Sequence, residues 1–453
     1  MYAFYDLETT GTSAAYDQPL QFAAVRTDDN FQIIEKFEAR CRLASHILPS
    51  PWALAITGIK FPTLIDETLP ELFDFSQIIA RLIEKWTPST WIGYNNLAFD
   101  EEMLRQMFYQ NLHPNNYLTQ INGNDRLDVM KAVFAAHSVS PDTMSWPTTK
   151  SGRVSFRLDQ LAPKNGLNSH NSHDALGDVY ATIHIAKKMA TNASELWANL
   201  AKCRNKNYVN KQLEYGAPLR LIVRDGPTAP KAIIGTLCGR NASNPNQIAF
   251  LDLETPNIKE ILSYSDDELE GAIFKSPRKI RILSVNSAPP ILPVASCSQA
   301  LHHAAKLVTE NRQFSKRIGQ VMSRRYDQSE PSQYVETRIY EGFYNQNDIE
   351  LLFEFQRSNW EKRATLSSRF QDERLIQLGS RLIGKFYPEG LGQDQTAKTK
   401  IDELESRKFA EDPSIPWMTY TKAIMQLDSI KNTGTLSASE YDVLENLYLE
   451  QCF

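Results

Sequence analysis

The chain of 453 residues has no apolar stretch approaching the roughly 18 residues that cross a bilayer, so no membrane span is expected. Cysteine is scarce. Cys41, Cys203, Cys238, Cys297 and Cys452 are odd in number and widely scattered, a pattern that suggests neither a disulfide framework nor a thiolate zinc site. The first residues, Met-Tyr-Ala-Phe-Tyr-Asp, lack a basic start and an apolar signal core, and a reducing cytoplasm is the expected location. There is no internal repeat and no low-complexity tract. Positive charge is not in excess, since 49 Lys and Arg stand against 54 Asp and Glu, a net of −5. This excludes a uniformly basic nucleic-acid coat but leaves room for a local basic groove. What remains is an ordinary globular composition, 42% hydrophobic and 23% charged. The length suits about two to four domains.

Strand and helix signals alternate through the first 190 residues. Strands are expected over 2–7, 21–26, 33–43 and 90–94. Apolar residues at Leu72, Phe75, Ile78, Ile79, Leu82, Ile83 and Trp86 have helical spacing. Further helices are expected over 101–112, 127–136 and 174–190, giving a mixed α/β domain. Short strands over 218–225, 231–238, 248–253 and 279–285, separated by turn-rich pieces, then predict a small β-barrel or sandwich with one helix near 265–274. From Ser298 onward helices dominate, over 348–360, 372–386, 414–428 and 437–451.

Three segments carry potential chemistry. In Asp6-Leu7-Glu8-Thr9-Thr10-Gly11, strand alternation projects Asp6 and Glu8 from one face. Paired carboxylates repel unless neutralised, and a hard divalent cation with oxygen ligands neutralises them. Gly11 permits a sharp turn beyond the pair. Alone, an acidic strand end facing solvent is the better reading. In Gly93-Tyr94-Asn95-Asn96-Leu97-Ala98-Phe99-Asp100, Asp100 starts a helix, where capping explains an acid equally well. Glu101 and Glu102 read as solvated first-turn acids. In His170-Asn171-Ser172-His173-Asp174-Ala175-Leu176-Gly177-Asp178, Ser172 has the character of an N-cap. His173 sits at the helix mouth, Asp178 about one turn in, and Asp174 fits dipole stabilisation. Taken together, Asp6, Glu8, Asp100 and Asp178 supply four carboxylates for two divalent ions, and His173 supplies a base that titrates near neutrality. Two such ions suit in-line displacement at phosphorus.

Asp-x-Glu-Thr, Tyr-Asn-x-x-Phe-Asp and His-Asp-Ala-x-x-Asp together resemble the DEDD 3′→5′ exonucleases. The spacing of His173 and Asp178 is similar to the DEDDh branch, as is the segment 51–59 (PWALAITGI), read as that branch's Gly-Ile loop. The resemblance covers residues 1 to about 190. Further runs (QFAA from Gln21, SFRL from Ser155 and IYEGF from Ile339) extend it toward the larger three-part members. It implies a ribonuclease H-like exonuclease domain over 1–190, an SH3-like β-barrel over 195–328 and an all-α C-terminal domain over 332–453. It also implies processive 3′→5′ hydrolysis of single-stranded DNA to 5′-mononucleotides, in repair and recombination, with two Mg²⁺ ions for which Mn²⁺ substitutes. The expected molecule is a cytoplasmic monomer. Its implied partner is the acidic, Phe-ended tail of single-stranded DNA-binding protein.

Substrate contacts are expected at Glu8, Arg157, Arg105 and Lys131, although a surface ion pair explains Arg157, and a solvated face explains Arg105 and Lys131, without DNA. One basic cluster holds Lys202, Arg204, Lys206, Lys211 and Arg220. It suits phosphate tracking, with Tyr208 and Tyr215 nearby for base stacking. The other cluster, Arg312, Lys316, Arg317, Arg324 and Arg325, suits the carboxylates of the partner tail. Phe314, Ile318 and Val321 beside it read as packing residues. Two other functions remain open on the sequence, a 3′→5′ exoribonuclease and a non-catalytic single-strand-binding scaffold.

Overall fold

A computed structural model describes residues 1–167, 174–214, 216–327 and 332–453, without the side chains of 325–327. Its first sheet contains β1 (Tyr2–Thr9), β2 (Pro19–Thr27), β3 (Ile33–Arg40), β4 (Thr90–Gly93) and β5 (Asp125–Asp128) in the order β3-β2-β1-β4-β5. The three long strands are antiparallel, and β4 and β5 add in parallel beside β1. Alternation divides β1 between two cores. Phe4 joins the core under the Val129–Val139 and Ala175–Asn192 helices. Ala3, Tyr5 and Leu7 join the core under the Leu72–Trp86 and Asp100–Gln110 helices. Helices therefore cover both faces, as the α/β reading predicts.

The second sheet contains β6 (Leu219–Val223), β7 (Lys231–Arg240), β8 (Gln247–Asp252), β9 (Ile280–Ser284) and β10 (Ile291–Pro293). It is antiparallel throughout, in the order β10-β6-β7-β8-β9. The Arg312–Asp327 helix lies directly on it. A Cβ at Gly319 would stand 2.3 Å from the Arg240 carbonyl oxygen, so only glycine allows that approach. Phe314, Ile318 and Val321 are buried there, which bears out their packing role. The 266–274 helix starts with a capping box, Ser265 and Glu268 bonding each other's backbone N–H.

Helices dominate the remaining chain and pack on the first unit in two places. Leu351, Leu352 and Phe355 meet Phe73, Tyr109 and Leu112. Tyr420, Leu427 and Tyr448 meet Leu20, Leu48 and Leu54. Glu336, buried between them, accepts from Arg381 and Arg407 at 2.9 Å each. No helix of the described residues is long and apolar enough to cross a membrane.

Several expectations need correction. Residues 125–128 form β5, so the helix expected over 127–136 begins only at Val129. The apolar run of a buried parallel strand merges with the helix after it, and periodicity cannot separate the two. β10 escapes a reading by pattern because three residues carry no alternation. The helix expected over 414–428 is Tyr420–Thr433, capped by Thr419. Segment 51–59 is not simply a loop. Pro51–Thr57 is helical between the Ser50 cap and a left-handed Gly58. The 175–192 helix takes Asp174, not Ser172, at its N-cap position. Ser172 itself lies outside the described residues.

Candidate active site

Asp6, Glu8 and Asp178 come together. Each offers one carboxylate oxygen, and the three oxygens lie within 4.8 Å of one another. β1 places Asp6 and Glu8 on the face that meets the Ala175–Asn192 helix, whose first turn carries Asp178. The partial positive charge of a helix N-terminus favours an acid there. Asp100 belongs to the same electrostatic site although it stands outside this tight trio. Its Oδ1 accepts from the Leu7 backbone N–H at 3.1 Å, which ties the Asp100–Gln110 helix to β1 between the two acids.

The charges are strained. Burial, then Asp100, Asp178 and Glu8, hold the Asp6 carboxyl well above the usual range. Glu8 is pushed up to about 8 by burial, then by Asp178 and Asp100, with Arg40 opposing. Asp100 is pushed up to about 7, mainly by burial. Convergent oxygen donors that resist ionising side by side fit a hard divalent cation, which relieves both burial and repulsion.

The surrounding shell follows from register. Glu8 pairs with Gln21, and Gln21 with Arg40, so all three side chains emerge on one sheet face. Gln21 donates to Asp174 at 2.9 Å, and Arg40 reaches it at 3.4 Å. Asp174 is thus held by side chains from the sheet, in addition to any dipole effect. Gly11 matters through space rather than through an unusual φ, because a Cβ there would stand 2.5 Å from Asp17. Asp17 in turn accepts from Thr10 at 2.9 Å and from the Ser13 N–H at 2.8 Å.

Other candidates separate. His173 lies outside the described residues. Arg157 lines a cleft of about 470 Å³ together with Asp178, and its guanidinium bonds Asp159 at 3.0 and 2.9 Å. Arg105 is mostly buried, ion-paired with Glu102 and 3.8 Å from Glu101, with its guanidinium over Tyr117. Lys131 is half-buried and donates to the Ser287 carbonyl at 2.7 Å. The cations of Arg105 and Lys131 are both engaged by partners within the protein. In the basic clusters, Arg204 pairs with Asp125 at 2.9 Å, and Arg317 and Arg324 both pair with Asp266. Arg312 and Lys316 are exposed. Tyr208 is partly buried in the core of the second sheet. Tyr215 and the side chain of Arg325 lie outside the described residues.

Glu101 is the clearest misreading. It is not solvated, being 1% exposed. It accepts from Tyr5 at 2.6 Å, Thr119 at 2.7 Å and Arg126 at 2.9 Å. No local signal separates it from Glu102, since both are first-turn acids.

Comparison with known proteins finds nucleases among the relatives of this chain. Residues 3–186 match the exonuclease family, and residues 333–449 match the exonuclease I C-terminal domain. Exodeoxyribonuclease I of Haemophilus influenzae is 29% identical over 409 residues, covering 83% of this chain and 84% of that protein. The crystal structure of Escherichia coli exonuclease I in complex with a dA16 oligonucleotide superposes with a TM-score of 0.84 at 24% identity, over 99% of this chain and 98% of that one. A crystal structure of SSB and exonuclease I with the inhibitor CFAM superposes with a TM-score of 0.82 at 24% identity, over 99% of both chains. With a carboxylate trio seated in the matched exonuclease segment and relatives aligned along most of its length, this chain belongs to the exodeoxyribonuclease I family.

Proposed function

We propose that the protein is a 3′→5′ exonuclease that degrades single-stranded DNA processively to 5′-mononucleotides. The observation that carries this reading is the convergence of Asp6, Glu8 and Asp178, backed by Asp100. These four would hold two Mg²⁺ ions, or Mn²⁺ in their place, which when bound supply charge neutralisation at a phosphodiester and a more acidic water. The carboxylates bind and orient. The β1 backbone keeps Asp100 aimed at its neighbours. The Gln21 and Arg40 ties keep the helix mouth against the sheet. His173, at that mouth by sequence, takes the proton from the attacking water. Glu8 and Arg157 contact the substrate strand.

The mixed first sheet supports a ribonuclease H-like domain over 1–190. The five short antiparallel strands support an SH3-like barrel over 195–328, followed by a helical domain over 332–453. The relative solved with SSB supports a protein partner of that kind. An acidic tail would find Arg312 and Lys316 exposed, and would compete with Asp266 for Arg317 and Arg324. A cytoplasmic monomer acting in repair and recombination completes the reading.

Single strands labelled at the 3′ or the 5′ end provide the test. Immediate release of the 3′ label as a mononucleotide, dependent on Mg²⁺ or Mn²⁺, is expected. Early release of the 5′ label, equal cleavage of blunt duplex, or preference for RNA would overturn the reading.

A further inference from the structure

We propose that Arg224, the residue just after β6, is a substrate-positioning residue that holds a backbone phosphate of the strand on the 5′ side of the bond cleaved at Asp6, Glu8 and Asp178. The proposal rests on the exonuclease reading of that site and adds a residue from a different part of the chain.

Its place is the first observation. The cleft that contains Asp178 is walled on one side by Tyr94, Arg153 and Arg157 of the first unit, and on the other by Arg224 and Pro227 of the second. The second is how the side chain is held. Its guanidinium carbon lies 5.0 Å from the ring centroids of both Phe134 and Phe156, and its Nε donates to the Thr228 carbonyl at 3.0 Å. Phe156 is itself fixed, because its carbonyl accepts from the Tyr94 hydroxyl and its ring packs edge-on to Phe134 at 5.2 Å. Arg224 is therefore pre-aimed by two aromatic rings although it is exposed.

What remains free is the third observation. Among the described residues, no carboxylate pairs with Arg224, and its two terminal nitrogens make no hydrogen bond. Arg157 in the same cleft has its fork on Asp159, while Arg153 bonds through Nε, to Ser151 at 3.3 Å, as Arg224 does to Thr228. Arg224 thus offers an uncommitted planar fork beside a carboxylate cluster. A strand approaching those carboxylates carries one negative charge per nucleotide and needs a compensating cation. A guanidinium fork matches a phosphate with two parallel N–H bonds. In a 3′→5′ reaction the uncut strand lies to the 5′ side of the scissile bond, and the second unit supplies the cleft's other wall.

The test uses full-length Arg224→Gln, Arg224→Met and Arg224→Lys with circular dichroism as the folding check, Met keeping an apolar side chain on the two rings. Fluorescence anisotropy with a labelled oligothymidylate strand gives Kd across salt concentrations, and nucleotide release gives kcat and KM. In Gln and Met variants, Kd and KM should rise about tenfold, the equivalent of one charge-assisted hydrogen bond. The slope of log K against log salt should flatten by about 0.7, the value for one phosphate that is no longer neutralised on a single strand. Arg224→Lys should recover the slope but only part of the affinity. An unchanged slope and Kd in the Gln and Met variants would overturn the proposal and leave Arg224 as a packing residue, as would an equal fall in kcat with no change in KM. Anisotropy reads the phosphate contact whether or not nucleotides are released, so failure of the nuclease reading is seen separately.

Discussion

Replacing Glu101 by Gln removes one charge from a site that no solvent reaches, with almost no change of shape. In the native protein, the side chains of Glu101 and Arg126 are 2% and 4% exposed and pair at 2.9 Å. Arg126 also donates to the Asn286 carbonyl at 3.1 Å, a tie to the second unit. After the substitution its guanidinium stays buried without a counter-charge, and breaking such a pair from one side costs about 3–5 kcal/mol. Tyr5 and Thr119 donate to different oxygens of Glu101, so the Gln amide keeps an acceptor for only one of them and turns its NH2 toward the other, whose hydroxyl must then accept. Urea unfolding followed by the fluorescence of Trp86 and Trp91, stacked at 6.0 Å in the adjoining core, reports the first unit. Glu101→Gln, Glu101→Met and Arg126→Met should each lower stability by about 3–5 kcal/mol, whereas the double variant Glu101→Met with Arg126→Met should lose much less than the sum of its two single variants. Nucleotide release should slow as well. Tyr5 adjoins Asp6 and Glu101 adjoins Asp100, so the Tyr5–Glu101 bond fixes the spacing of two site carboxylates. A loss below about 1 kcal/mol for Glu101→Gln, or additive effects in the double variant, would refute the buried-pair argument.

Asp6→Asn should lower nucleotide release by roughly three or more orders of magnitude, since one ligand of a coupled site supplies several kcal/mol of transition-state stabilisation. It should also raise the melting temperature of the cation-free protein at pH 8, because one repelling charge is gone; calorimetry checks this. For Glu8, whose carboxyl is held near 8 in the fold against 4.5 otherwise, the folded state prefers the proton. Its stabilising contribution is complete below pH 4.5 and is lost as pH rises toward 8. Mg²⁺ should therefore raise the melting temperature more at pH 8 than at pH 5; at either pH a hundredfold excess over the Kd at that pH stabilises by about 2.7 kcal/mol. His113, half-buried against Phe108 with its imidazole pushed down to about 4 by desolvation, acts in the opposite sense. Its contribution is complete above pH 6.5 and is lost as pH falls through 4, so His113→Asn should flatten the acid side of a stability-versus-pH curve. Lys131→Met should leave the salt dependence of DNA binding unchanged and cost about 1 kcal/mol through the missing bond to Ser287; a flattened salt slope would return Lys131 to the substrate.

The sequence by itself determined those features that depend on near neighbours. Alternation along residues 2–9 put Asp6 and Glu8 on one face, helical spacing set residues 72–86, and the acids at 100 and 178 were legible as helix-start residues converging on a metal-binding site. Local geometry follows from backbone period and side-chain direction, both written in consecutive residues. Whether a charge meets water or another charge is not written there. Glu101 and Glu102 are adjacent, yet Arg126, 25 residues away, buries the first. Lys131 is engaged by a carbonyl 156 residues away, and Arg317 by an acid 51 residues away. Arg224 enters the cleft because β6 packs near the Val129–Val139 helix, bringing it over Phe134 and Phe156. Desolvation and pairing depend on which distant segment covers a side chain, and only the tertiary structure decides that.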